Sequence, residues 1–150
     1  MTDELTVDLV LVPVDGSDES MTAVEYAVGV AAEYDASVHA VYVLGEEVTR
    51  AIEEGVVDEA EVAEETVFFN DSARSIADER DVSLSTSIAY GFSTKIKTRH
   101  PGSVVLDTAE ELDADFLVVP RESVADAPGD VLAKAAEYVL LYASQPVLSV

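Results

Sequence analysis

The stretch "DLVLVPVDGSDESMTAVEYAVGVAA", residues 8–32, decides the fold. Its first part, Asp8–Val14, is a short and continuous apolar run, which is the pattern of a strand covered on both faces. Ser17 follows as an N-cap residue and predicts that a helix begins there. The apolar side chains then recur at helical spacing, at Met21, Val24, Ala27, Val28 and Ala31. A buried strand that leads directly into an amphipathic helix is typical of α/β proteins.

The same alternation continues along the chain. Further strands are predicted at Ser37–Leu44, Val82–Tyr90, Asp115–Val119 and Pro146–Val150. Further helices are predicted at Glu46–Arg80, with an interruption near Gly55, at Ser103–Leu112 and at Asp130–Tyr142. This order predicts one α/β domain over residues 1–150: a doubly wound, Rossmann-like, five-stranded parallel sheet with helices on both faces. Ligands of such sheets bind beyond the carboxyl ends of the strands.

The charge of the chain limits its partners. There are 31 Asp and Glu residues against 8 Lys and Arg residues, a net charge of −23, which repels nucleic acid and anionic membranes. The acidic surface either recruits a basic protein partner or forms a solvated shell that suits a salt-rich medium. The acids are spread along the whole chain, which favours the second interpretation and predicts a halophilic source. The acidic start "MTDELTVD" is unlike a signal segment, and no apolar run could insert into a membrane, so a cytoplasmic location is expected.

Several kinds of site are disfavoured by the residues present. Without cysteine there is no disulfide and no thiolate metal site, and two histidines are too few for a histidine-based zinc cluster unless carboxylates complete it. There is no Gly-x-Ser-x-Gly motif, and His39 is expected inside a strand, far from any serine that it could activate. The sequence therefore predicts neither a metal centre nor a catalytic serine.

Two segments carry a family resemblance. "VLVPVDGSDESMTAVEYAVGVAAEYDASVHAVYV" (Val10–Val43) closely resembles the universal stress protein family, and so do "AEELDADFLVVP" and "AAEYVLLYASQPVLSV" near the other end. The resemblance covers nearly the whole chain and weakens between Glu46 and Pro101. It implies a regulatory or interaction protein that is not an enzyme, and a homodimer built through the last strand.

The last strand itself supports that homodimer. An apolar edge strand is a pairing liability unless it is covered, and the same strand of a second copy would cover it. The residues expected at this interface are Pro146, Val147, Leu148 and Val150.

The nucleotide loop of the family is altered in this chain. Many members bind ATP through Gly-x2-Gly-x9-Gly-Ser/Thr after the fourth strand. When Asp115 and Glu137 are used as anchors, those four positions fall on Pro120, Ser123, Ala133 and Lys134. Glycines let backbone N–H groups approach phosphate, whereas proline has no N–H. ATP binding in the family manner is therefore not expected, and no cofactor is predicted.

An alternative nucleotide site for ATP or AMP remains open. Arg121 and Lys134 could hold phosphate by charge. The resemblance places Asp15 at the adenine side and Val43 at the corresponding place on the second strand, so the alternative site consists of Asp15, Val43, Arg121, Ser123 and Lys134. An aspartate at position 15 is, however, also favoured simply because it is in a turn, and a valine at position 43 is expected mainly to pack in the core.

A basic insert stands out in this acidic chain. About ten residues around 92–101 have no counterpart in the family, and within them lie Lys95, Lys97 and Arg99, three of eight bases. In an extended segment their spacing would place all three on one face, consistent with a hairpin that turns at Tyr90–Gly91. They could bind an anion or an acidic patch on a partner. Alternatively, they pair with surrounding carboxylates.

Overall fold

The computed structural model describes residues 6–44, 51–56, 58–90, 101–120 and 131–150. The strands are β1 (Leu9–Val14), β2 (Ser37–Leu44), β3 (Leu84–Tyr90), β4 (Phe116–Val119) and β5 (Val147–Ser149). The helices are α1 (Asp18–Tyr34), α2 (Glu59–Glu79), α3 (Pro101–Glu111) and α4 (Val131–Tyr142). The predicted alternation of strands and helices is confirmed. The elements begin and end within a few residues of their predicted positions. In the predicted stretch Glu46–Arg80, residues 51–53 are helical, the helix is interrupted near Gly55 as predicted, and α2 follows.

The five strands form one parallel sheet in the order β3-β2-β1-β4-β5. The chain winds outwards from β1 to β3 on one side and through β4 to β5 on the other. β3 and β5 are therefore the two edges of the sheet. This is the doubly wound architecture that the sequence predicts.

No helix in the described part of the chain is long and apolar enough to cross a membrane.

Two hydrophobic cores lie on opposite faces of the sheet because successive side chains of a strand point to opposite faces. On one face Val10 and Val12 of β1 pack with the apolar stripes of α1 and α2, where Phe69 is buried. On the other face Leu11 packs with Val105 and the apolar side chains of α3 and α4. The continuous apolar run of β1 is thus explained by helices on both faces, as predicted.

Capping side chains and a glycine set the helix boundaries near the starts of α1 and α2. The Ser17 side chain accepts a hydrogen bond from the Ser20 N–H and caps α1, as predicted, and Asp58 caps α2 through the Ala60 N–H. The predicted helix from Glu46 is interrupted because Gly55 has a φ of +74°, a conformation that glycine adopts at little cost.

The C-terminal ends of α1, α2 and α3 share one geometry. Asp35, Asp81 and Asp113 have φ values of 57°, 55° and 56°. The next residue in each case donates its N–H to the carbonyl five residues earlier, as in Ala36 to Ala31 at 2.8 Å. This is the Schellman arrangement, in which glycine is the usual left-handed residue. Here aspartate takes that place three times, each time just before a strand.

Candidate functional site

The turn after β1 is held by its own polar side chains. Asp15 Oδ1 accepts a hydrogen bond from the Ser17 N–H at 2.9 Å. The Ser20 Oγ donates to the Ser17 carbonyl at 2.9 Å, and Ser20 is fully buried. An aspartate that bonds to the backbone two residues ahead forms an Asx turn. The carboxylate of Asp15 therefore helps to fold the turn that leads into α1.

Tyr42 of the neighbouring strand β2 stabilises this turn with a hydrogen bond. β1 and β2 pair with Val14 opposite Tyr42, and the tyrosine hydroxyl donates to the Asp15 carbonyl at 3.1 Å. Gly16 has a φ of +87°, and a Cβ added there would lie 2.5 Å from the Tyr42 hydroxyl oxygen. The ring of Tyr42 also meets Phe69 edge to face, with centroids 5.9 Å apart. Glycine at position 16 is therefore required both by its backbone conformation and by the close tyrosine.

The sequence prediction named Val43 at this place and missed Tyr42. Val43 is buried and belongs to the core on the α3 and α4 face, whereas Tyr42 points to the opposite face. The alternation of side chains along "VHAVYV" was the signal that separates the two residues. Val43 is thus a core residue, and Tyr42 is the side chain that reaches the turn.

A second polar group lies where β2 pairs with the edge strand β3. His39 of β2 is 7% exposed, and its ring nitrogens lie 2.7 Å from Ser85 Oγ and 2.8 Å from Ser87 Oγ. Burial lowers the pKa of His39 below its ordinary value of 6.5, because a charged imidazolium loses hydration there.

His39 lies inside a strand, as predicted, but the prediction that no serine within its reach could be activated is wrong, because Ser85 and Ser87 contact its ring. β2 and β3 are parallel neighbours with His39 opposite Ser85, so these side chains share one face of the sheet. Pairing of strands that are distant in the sequence determines this contact, and no local pattern encodes it. The odd positions of the serines in "LSTSIAY" were the available signal, because they place both hydroxyls on a single face.

Comparison with known proteins agrees with the architecture. The universal stress protein family model matches residues 7–150. This chain belongs to the universal stress protein family. "Universal stress protein MJ0531" from Methanocaldococcus jannaschii is 28% identical to it over 150 residues, covering 94% of this chain and 80% of that protein.

Solved structures share the same fold. Protein MJ0577 superposes with a TM-score of 0.75 at 15% identity, covering 97% of this chain and 96% of that chain. A universal stress protein from Archaeoglobus fulgidus in complex with dAMP superposes with a TM-score of 0.63 at 18% identity, covering 97% and 98% of the two chains. At such identities the likeness establishes the fold alone.

The remaining nucleotide candidates of this universal stress protein are described in part. Asp15 is half-buried at the carboxyl end of β1, and Pro120 is buried directly after the neighbouring strand β4. Lys134 lies in the first turn of α4, and its side chain is outside the described residues. Arg121 and Ser123 are outside them as well. The structure therefore places Asp15 and Pro120 at the carboxyl ends of the neighbouring inner strands β1 and β4. Of the other candidate residues in this group, it describes only the backbone of Lys134.

The basic insert and its predicted hairpin also fall outside the described residues, which stop at Tyr90 and resume at Pro101. The grouping of Lys95, Lys97 and Arg99 on one face therefore stays a prediction from the sequence.

The predicted dimer strand does lie at an edge of the sheet. β5 pairs with β4 alone in the described sheet, with Val147 opposite Leu117. Val147, Leu148 and Val150 are half-buried and Pro146 is exposed. Next to the strand, α4 ends with the exposed apolar residues Leu140, Leu141 and Tyr142.

Proposed function

We propose that this universal stress protein is a homodimeric regulatory or interaction module that does not bind ATP in the family manner. The observation that carries the proposal is the pair of hydrogen bonds that Asp15 accepts in the turn after β1. The Asp15 carboxylate accepts from Ser17, and the Asp15 carbonyl accepts from Tyr42. One oxygen of the Asp15 carboxylate and the Asp15 carbonyl are thus already hydrogen-bonded within the protein, which leaves fewer acceptors for an adenine.

The end of β4 supports the same proposal. Pro120 follows β4 where the family has the first glycine of its loop, and its ring nitrogen carries no hydrogen for a phosphate oxygen. Between Pro120 and Lys134 the sequence contains Glu122, Asp126 and Asp130 against two bases. A triphosphate would meet a loop with net negative charge.

The proposed dimer forms by pairing of the β5 edges around a two-fold axis. The Leu117 N–H donates to the Pro146 carbonyl, and the Val150 N–H donates to the Val119 carbonyl. Because alternate residues of a strand turn their backbone groups to opposite sides, Val147 turns its N–H away from β4, towards the partner. The apolar residues Leu140, Leu141 and Tyr142 would extend the contact beside the strand.

Proline at position 147 tests this interface. Val147→Pro removes the outward N–H and leaves the hydrogen bonds to β4 intact, so a monomer is expected by light scattering after gel filtration. Val147→Ala is the matched control, which shortens the same side chain but keeps the N–H, and it should remain a dimer. A folded Val147→Pro protein that is still a dimer would exclude pairing through β5.

A nucleotide-binding function is the second candidate. The related universal stress protein from Archaeoglobus fulgidus was solved with dAMP. In this chain, a site for ATP or AMP would use Asp15, Arg121 and Lys134 in place of the glycine loop, together with Ser123. Phosphate would then be held by two cationic side chains instead of by backbone N–H groups.

Calorimetry separates the two candidates. ATP and AMP, each with Mg²⁺, would be titrated into the protein in molar KCl, with Lys134→Ala and the control Arg80→Ala alongside, since Arg80 is exposed at the end of α2. Absence of binding heat supports the first proposal. Saturable heat that is lost in Lys134→Ala and kept in Arg80→Ala establishes the charge-based site and overturns the first proposal.

The setting of the protein follows from its charge. We propose that it works in a salt-rich cytoplasm, without nucleic-acid or membrane contacts, because its net charge of −23 requires screening. The segment with Lys95, Lys97 and Arg99 is proposed as a contact for an anion or for an acidic patch on a protein partner. Reversing those three charges should abolish such a contact and leave the β5 dimer unchanged.

A further inference from the structure

His39 and the two serines that contact its ring, Ser85 and Ser87, form a hydrogen-bonded group of one base and two hydroxyls. Ser85, His39 and Ser87 lie on the same face of the β2–β3 pair, and each ring nitrogen has a hydroxyl within 2.8 Å. A neutral imidazole has one N–H and one lone pair. One serine must therefore accept the ring N–H, and the other must donate its O–H to the ring.

A cleft gives access to one of these hydroxyls. It has a volume of about 400 Å³ between the edge strand β3 and helix α3, and Ser87 and His39 line it. Asp107, Thr108 and Glu111 of α3 also line it, and the Thr108 hydroxyl donates to the Val104 carbonyl. Small ligands can thus reach the Ser87 Oγ from outside.

We propose that Ser87 is a nucleophile activated by His39, and that it takes up acyl groups from small activated esters that enter the cleft between β3 and α3. In this arrangement the Ser87 O–H donates to Nε2, and Nδ1–H donates to Ser85 Oγ. In this tautomer Nε2 is the base, and Ser85 orients the ring by accepting the Nδ1–H. A nucleophile, a base within hydrogen-bond reach and a third group that orients the base are the signature of an activated serine. The inference goes beyond the proposed regulatory function and does not depend on it.

The reaction is balanced with the groups present and the ester. Ser87 Oγ forms a bond to the acyl carbon while its proton passes to His39 Nε2. The bond from the acyl carbon to the leaving oxygen then breaks, and Nε2 returns the proton to that oxygen. The products are an O-acylated Ser87 and an alcohol or phenol.

Burial and backbone geometry favour this chemistry. Because burial lowers the pKa of His39, the imidazole is neutral, and hence basic, at pH 7. The Val38 N–H donates to the Ser83 carbonyl, so odd-numbered residues of β3 turn their backbone groups towards β2. Ile88 then turns its N–H to the outer side of the edge strand, directly after the nucleophile. An N–H in this place can stabilise the oxyanion that forms during attack.

The charges around the cleft define which esters fit. Asp107 and Glu111 are exposed carboxylates on α3, and among the described residues they are the titratable groups that line the cleft with His39. They disfavour anionic esters and favour uncharged or cationic ones. Val104, Ala89 and Leu112 give the cleft an apolar wall for the acyl chain.

Acetylation with p-nitrophenyl acetate tests the proposal. The full-length protein should release one burst of nitrophenolate and gain one acetyl group, mapped to Ser87 by peptide mass spectrometry. Ser87→Ala should abolish acetylation at this position, and His39→Gln should lower its rate by about 10²-fold or more. Ser83→Ala, a change at an exposed serine just before β3, should leave the rate unchanged.

Further measurements separate the proposed chemistry from a simple loss of folding. Ser87→Cys retains a nucleophile at the same place and should be acetylated on sulfur, whereas Ser85→Ala should slow the reaction and change its pH profile. In the wild type, the rate should rise with pH and level off below pH 6.5, because it follows the lowered pKa of His39. An anionic nitrophenyl ester should react more slowly, and the Asp107→Asn/Glu111→Gln double variant should recover part of that difference.

Several results would overturn the proposal. Acetyl groups found at lysines or at the amino terminus, with none at Ser87, would mean that the serine is not activated. An unchanged rate in folded Ser87→Ala or His39→Gln would mean the same. The two hydroxyls would then serve to satisfy the hydrogen bonds of a buried imidazole.

Discussion

The contact between Gly16 and Tyr42 gives a prediction whose magnitude follows from the structure. Gly16→Ala would place a Cβ at a φ of +87° and 2.5 Å from the tyrosine hydroxyl oxygen. The left-handed conformation costs about 1–2 kcal/mol for a residue with a Cβ. Crowding in a packed site adds about 1–3 kcal/mol. We therefore expect Gly16→Ala to lower the free energy of unfolding by roughly 3 kcal/mol.

Removal of the tyrosine hydroxyl separates these two terms. Without it, the nearest tyrosine atom is Cζ at 3.4 Å, close to ordinary van der Waals contact. Tyr42→Phe by itself loses the hydrogen bond to the Asp15 carbonyl, which costs about 1 kcal/mol. In the double variant Gly16→Ala should cost only its conformational term. The double variant should therefore be more stable than the sum of the single effects by about 1–3 kcal/mol.

The assay is urea denaturation of the four proteins at one fixed KCl concentration. Gly29→Ala is the matched control, since this helical glycine has no atom within 4 Å of an added Cβ. It should stabilise the protein by about 1 kcal/mol, because alanine favours a helix over glycine. Strictly additive effects of Gly16→Ala and Tyr42→Phe would refute the close contact, and a neutral Gly16→Ala would refute the left-handed backbone as well.

Three other predictions concern charged and titratable groups. Asp115→Ala should cost about 2 kcal/mol, because the carboxylate accepts hydrogen bonds from the Asp8 and Leu9 N–H groups at the start of β1, and Asp115→Asn should cost less in the same urea titrations. The pKa of His39 is lowered in the folded state, so as pH falls through 6.5 the unfolded chain binds the proton first and stability is lost; the difference in urea midpoint between wild type and His39→Gln should therefore change below pH 6.5 and stay constant above it. With a net charge of −23, the urea midpoint should rise from about 0.1 M to about 1 M KCl, as the screening length falls from about 10 Å to about 3 Å; a midpoint that is independent of KCl would contradict the screening argument.

The fold was predictable because its signals are local. The apolar run of β1 and the cap at Ser17 each depend on a few neighbouring residues. The parallel arrangement of the strands follows from the alternation of strands and helices along the chain. Helix and strand ends shifted by a few residues where backbone geometry decides the boundary, as at the left-handed Asp81 before β3. Such shifts do not change which residues face the core.

The sites were less predictable because they depend on pairing between strands. The contact of His39 with Ser85 and Ser87 joins residues 46 and 48 positions apart, and it requires the register of β2 against β3. The same is true of Tyr42 and Asp15, which meet because β1 and β2 are neighbours. The alternation of side chains along each strand could have shown which residues share a face of the sheet. The register between neighbouring strands, however, is determined by packing of the whole sheet.

The three aspartates that end α1, α2 and α3 have a consequence for the stability of the fold. Asp35, Asp81 and Asp113 occupy left-handed positions where glycine would be relaxed, and their negative charges lie at the negative end of a helix dipole. Both effects oppose folding. At these three junctions between a helix and the next strand, the chain therefore falls short of the stability that the same backbone would have with glycine.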